Sequence, residues 1–144
     1  EIKTIQDSNK KYGITIQVIR MIKKWVEFCL VDIKSYEIEK CVVNFLKFYN
    51  FSGSFSDTIK NFFLYLKDQN INGDDKTKTK IESAYDRSQK ACNFEEDNHL
   101  EEASREWKKI FGNDFPLCLE SEALNDEDCN SKPINNPPQP WLSI

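Results

Sequence analysis

Between Ile14 and Tyr49 apolar residues recur at steps of three and four, and that periodicity restricts the chain to helices. Ile14, Val18, Ile22, Trp25 and Cys29 form one row, and Ile38, Cys41, Val42, Phe45 and Tyr49 form another. Each is the stripe that an amphipathic helix turns toward a core. Arg20, Lys24 and Glu27 fall on the far side of the first stripe. The connection through Val31, Asp32, Ile33 and Lys34 is short, so the two helices are expected to be antiparallel neighbours or to make a sharp corner.

Beside the first stripe runs a second row, Ile19, Lys23, Val26 and Leu30, in which Lys23 is the misfit. Two readings stand: its stem covers apolar surface while its ammonium reaches water, or the ammonium meets a fixed anion at the edge of the core. The next helix is expected to open at Ser35, a favoured N-cap residue, with Glu37 and Glu39 supplying negative charge to its first turns. A helix opening carries unpaired N–H groups and a positive dipole end, which suits an anion. From pattern alone Ser35 reads first as an ordinary cap. Tyr36, next to it and off the stripe, reads as a half-buried aromatic or as a ring presented to a base.

The rest of the chain continues the helical pattern. Residues 1–12 are polar and read as a loop or incoming linker, with Asp7 or Ser8 as caps for the first helix. Asn50 to Phe55 reads as a loop, after which Ser54 or Ser56 starts a helix with Ile59, Phe62, Phe63 and Leu66 on its apolar face. Asp74 and Asp75, beside Gly73, read as turn and capping residues rather than metal ligands. A helix from about Thr77 to Phe94 and another from Asp97 or Asn98 to Phe111 make a hairpin over 77–111. Ala84, Ser88, Ala91 and Ala103 allow close approach there, and Gly112 with Pro116 provides the stop. The period has no second copy, so the hairpin is not part of an array. Glu95, Glu96, Asp97, Glu101 and Glu102 read as solvated helix ends with nothing to raise a pKa, and His99 as a surface residue.

The fold expected is therefore all-α, a compact bundle of about five helices over residues 1–116, followed by an extended, acidic, Pro- and Asn-rich tail over 117–144. Apolar residues at 39%, charged residues at 31% and few glycines fit this class better than a sandwich or barrel. A net charge of -4 argues against strong nucleic-acid binding, although the lysine-rich first third leaves room for a local basic groove. Five scattered cysteines without a Cys-x-x-Cys pair, and a single histidine, disfavour a disulfide framework, a zinc site and a hydrolytic triad. A reducing cytoplasm is the expected setting. No apolar run approaches a membrane span, so no membrane partner is expected.

The run Arg20-Met21-Ile22-Lys23-Lys24-Trp25, followed by Lys34-Ser35-Tyr36-Glu37-Ile38-Glu39, resembles the C-terminal lobe of template-independent nucleotidyltransferases. This is the superfamily of oligoadenylate synthase, cyclic GMP-AMP synthase and their bacterial relatives that make cyclic-nucleotide signals in anti-phage defence. The stretch from Ala103 to Pro116, with Trp107-Lys108-Lys109-Ile110-Phe111-Gly112 and Phe115-Pro116, is similar to the segment that closes the helical lobe in the bacterial branch. Pro137-Pro138-Gln139-Pro140-Trp141 is a weaker echo. The resemblance implies that Lys23 and Ser35 touch the triphosphate of a nucleoside triphosphate substrate and that Tyr36 stacks on its base. It also implies that magnesium (Mg2+) is held by carboxylates of an N-terminal catalytic lobe of the same protein, introduced by Gly-Ser and an Asp-x-Asp pair. Gly53-Ser54 is followed by no such pair. The chain is thus expected to be the back half of a longer protein and inactive alone. A transfer-RNA-type nucleotidyltransferase is the weaker family reading. The reading outside the family is a stand-alone helical interaction module with a tetratricopeptide-like hairpin.

Overall fold

The apolar rows become helices that close on one another. The computed structural model describes residues 2–49, 54–69 and 74–116. Its elements are α1 (Ile2–Tyr12), α2 (Thr15–Cys29), α3 (Ser35–Phe48), α4 (Phe55–Asp68), α5 (Asp75–Glu96) and α6 (Leu100–Phe111). The described residues form an all-helical bundle, and the expected tail, together with residues 50–53 and 70–73 of the expected loops, lies outside them.

α1 corrects an expectation, since the polar residues read as a linker are helical. Its docking face is partly polar, which is why an apolar count misses it. Ser8 is buried and shares a 2.8 Å hydrogen bond with the fully buried Thr15 at the start of α2. The Asn9 side chain accepts from the Ile16 amide at 3.0 Å, so α1 caps α2 from one helix away. Asp7 and Ser8 lie inside α1 and are not caps of α2.

α2 buries Val18, Ile22 and Trp25 along the expected stripe, with Ile14 just before it, and ends at Leu30 in a left-handed conformation. The exposed Leu30 carbonyl accepts from Lys80 Nζ of α5 at 2.7 Å. α4 is capped by Ser54, whose hydroxyl accepts from the Asp57 amide at 3.1 Å. α5 is capped by Asp74, which accepts from the Lys76 amide at 3.1 Å. α6 departs from expectation: Asp97 and Asn98 make the turn, Asn98 in the left-handed region, and the helix begins at Leu100 without a side-chain cap.

α5 packs extensively on both α6 and α4, α2 lies against α3 and α6, and α1 covers α2 and α3. One core runs through these contacts, with Trp25, Phe55, Phe62, Phe63, Trp107, Phe111 and Phe115 fully buried. It closes at Gly112, where φ is +99° and an added Cβ would stand 2.9 Å from Cδ1 of Phe28. Gly112→Ala is expected to cost about 1–3 kcal/mol in urea unfolding from backbone strain, with a smaller addition because half-exposed Phe28 can yield. Gly13 has φ +80° with nothing within 4 Å of its Cβ position. Gly13→Ala therefore measures strain alone, and equal losses at both sites would deny the Phe28 contact a role.

Candidate functional site

Lys23 sits on the graded row of α2. Exposure rises from 7% at Ile19 to 80% at Leu30, which places Lys23 at the rim rather than inside the core. Its ammonium does meet an anion there, the Glu39 carboxylate of α3, at 2.8 Å, with the two side chains 40% and 26% exposed. Ser35 is the first residue of α3 rather than its cap. The cap is Lys34, in extended conformation, and its amide donates to Glu37 Oε2 at 3.3 Å. Ser35 is exposed, and Tyr36 is 56% exposed.

Helix geometry relates the three residues. Ser35 and Glu39 are four apart and Tyr36 and Glu39 three apart, so all lie on neighbouring positions of one α3 surface, with about 6 Å between Cβ atoms. By pairing with Glu39, Lys23 delivers its ammonium from α2 about one turn beyond the opening of α3. The surface is open, and its charges are balanced locally: Lys23 and Lys34 stand beside Glu37 and Glu39. The neighbouring Lys24 is also engaged, with Asp114 at 3.0 Å. The lysine-rich first third does not form a groove of unpaired cations at these two positions.

A second polar constellation was not legible in the sequence. Glu95, read there as a solvated helix end, is half-buried and turns one carboxylate oxygen toward α4 and α6. Its Oε2 accepts from Trp107 Nε1 of α6 at 2.7 Å and from Ser56 Oγ of α4 at 3.1 Å. Burial raises the Glu95 pKa, against the two hydrogen bonds that lower it, and the nearby Asp57 adds to the rise. Glu96 and Asp97 are exposed, as expected. Two signals point to Glu95: it continues the buried register of Ser88, Ala91 and Cys92, and a buried indole N–H requires an acceptor.

The remaining described thiols and the histidine are disposed as follows. Cys29, Cys41 and Cys92 are free thiols, each held above its usual pKa, chiefly by burial, so their nucleophilic thiolate forms are disfavoured. His99 is exposed, with Nδ1 3.5 Å from Glu102. Among the described residues no group of three or more His, Cys, Asp or Glu is placed to hold a metal ion, so these residues do not fit an Mg2+ site. A shallow depression of about 350 Å³ on α6, lined by Phe94, Glu102, Arg105, Glu106, Lys108 and Lys109, includes none of Lys23, Ser35 and Tyr36. No described helix is long and apolar enough to cross a membrane. In comparisons with protein-family models, with characterised proteins and with solved structures, nothing matches this chain.

Proposed function

We propose that this chain is the helical half of a template-independent nucleotidyltransferase that joins nucleoside triphosphates into a signalling oligonucleotide. Lys23 and Ser35 contact the triphosphate, and Tyr36 stacks on a nucleobase. The observation that supports this beyond the two sequence motifs is the placement of the Lys23 ammonium at Glu39, one turn from Ser35 and Tyr36 on an open surface. A polyphosphate arriving there exchanges the carboxylate for phosphate oxygens as the partner of Lys23, a compact charge on a flexible stem. First-turn amides of α3 and the helix dipole favour the same anion. Two-metal phosphoryl transfer belongs, in this reading, to a separate catalytic lobe that supplies the metal-binding carboxylates. The chain by itself is expected to bind without turning over.

Titration of tripolyphosphate and of ATP into the chain, followed by NMR, tests this. Perturbations are expected at Lys23, Ser35 and Tyr36, with Lys23→Ala weakening binding by about tenfold through loss of a charge-assisted contact. Glu39→Gln removes the competing charge and is expected to tighten binding by about threefold or more. Wild-type affinity in both Lys23→Ala and Ser35→Ala, or perturbations confined to the depression on α6, would refute the site.

The tight α5–α6 hairpin favours the second reading, a helical interaction module. The coding sequence upstream separates the two. A Gly-Ser motif and an Asp-x-Asp pair on strands belong to the enzyme, and their absence there favours the module.

A further inference from the structure

The end of α2 leaves two large apolar side chains outside the core, Phe28 at 48% and Leu30 at 80% exposed. Leu30 also occupies a left-handed position, where glycine or asparagine would sit with less strain, so the sequence places apolar surface at a point the backbone does not favour. Three helices meet there. Phe28 lies against Gly112 at the end of α6, the Cys29 thiol donates to the Ile110 carbonyl at 3.5 Å, and the Leu30 carbonyl accepts from Lys80 of α5 at 2.7 Å. Lys80 and Arg87 are seven residues apart on α5 and so share one of its faces, about 10 Å apart along the axis. The positive charges of both reach the Cys29 thiol. Their hydrogen-bond partners are neutral, a carbonyl for Lys80 and the Ser83 hydroxyl, 3.4 Å from Nε, for Arg87. The junction is thus an apolar step bordered by two cations.

The chain itself supplies an occupant of matching chemistry. Of its 24 acidic and 20 basic side chains, five acids and one lysine lie in 117–144, so that stretch alone accounts for the net charge of -4. Glu120, Glu122, Asp126, Glu127 and Asp128 all precede Lys132 and share their stretch with Leu117, Leu119 and Leu124. The bundle also releases the chain at this junction. Phe115 is buried with its amide donating to the Gly112 carbonyl at 3.1 Å, and Gly112 touches Phe28. Asp114 pairs with Lys24, four residues before Phe28, which holds the exit to the same face of α2. We propose that residues 117–124 bind back across the end of α2, their leucines covering Phe28 and Leu30 while Glu120 and Glu122 pair with Lys80 and Arg87. Four residues beyond Pro116 span up to about 13 Å, which brings Glu120 within reach of the end of α2. Exposed ion pairs are individually weak. A short tether, however, sets an effective concentration on the order of millimolar, so contacts too weak to hold a free peptide suffice for an attached segment. Seated there, the segment shields the apolar step from other chains and ties α2, α5 and α6 together.

Zero-length coupling of carboxylates to lysines with a carbodiimide, applied to the whole 144-residue chain and read by mass spectrometry, tests this. The pairs Lys23–Glu39 and Lys24–Asp114, at 2.8 and 3.0 Å, serve as internal standards that also report a folded bundle. Bonds from Glu120 or Glu122 are expected at Lys80 in preference to Lys3, Lys10, Lys11 and Lys47, and within single chains when isotope-labelled and unlabelled chains are mixed. Leu30→Asn suits the left-handed position and removes the apolar contact. It should lower coupling to Lys80 by about threefold or more relative to the standards. In the double variant Glu120→Gln, Glu122→Gln, amide resonances of residues 28–31 and 80–87 should shift while those of α1 stay in place. An even spread of the Glu120 and Glu122 bonds over these lysines overturns the proposal, as does unchanged coupling in Leu30→Asn. Bonds formed between chains overturn it in favour of a second copy as the occupant. Intact standards with no bond from Glu120 or Glu122 also overturn it and leave the step to an acidic partner from outside.

Discussion

Trp107→Ala is expected to lower the unfolding free energy by about 3–5 kcal/mol through the cavity alone. A further cost of about 1–3 kcal/mol arises because an interior acceptor loses a donor. Trp107 is 1% exposed, its ring stacks near Phe111 with centroids 6.1 Å apart, and its N–H is the shorter of the two bonds to Glu95. A loss of that size approaches the whole stability of a small domain, so the variant should be largely unfolded at modest urea concentration. Trp107→Phe separates the two components. It retains most of the ring volume and the contact toward Phe111 but removes the indole donor from Glu95, so only the smaller component should be lost. If Trp107→Phe is as damaging as Trp107→Ala, the ring volume adds little and the polar bond carries more than neutral hydrogen bonds ordinarily do. If both variants melt near the wild type, the assignment of Trp107 to the core fails.

The contrast between what the amino-acid order reveals and what it hides lies in the range of the interaction. The stripes of α2 to α6 are legible because burial of Val18, Ile22, Phe62, Ile81 or Ile110 repeats within a single helix. α1 is not, because its docking relies on Ser8 meeting Thr15 and on Asn9 capping α2, contacts a pattern of apolar residues does not register. α3 starts at the expected residue, yet its cap is Lys34, since the cap is defined by an extended backbone that side-chain preference alone does not specify. Glu95 is hidden by its type: carboxylates are ordinarily exposed, and its partners lie 39 and 12 residues away on other helices. Lys23 stands out as a misfit in its row, but its partner Glu39 depends on how α2 crosses α3, which periodicity does not encode.

Trp25→Ala should cost about 3–5 kcal/mol, for a reason distinct from Trp107. Trp25 is 1% exposed and meets Phe63 of α4 edge-on, with ring centroids 5.1 Å apart and planes at 72°. The indole is thus a span from α2 to α4 through the middle of the core, and edge-to-face pairs of this kind are worth about 0.5–1.5 kcal/mol beyond their area. Trp25→Phe should recover part of the loss, and the dependence of unfolding free energy on urea should keep its slope, since the surface exposed on unfolding hardly changes. Lys24→Ala, one residue away, breaks only the pair with Asp114, a carboxylate 78% exposed, and should move stability by well under ~1 kcal/mol. Lys23→Ala should likewise leave the fold standing while weakening polyphosphate binding. Residues 23 and 25 share a helix but are separated by about 200° around it, so the two variants divide binding from stability along a single turn. A near-neutral Trp25→Ala, or a Lys23→Ala that unfolds the chain, would mean that α2 is turned the other way and that Lys23 does not face the opening of α3.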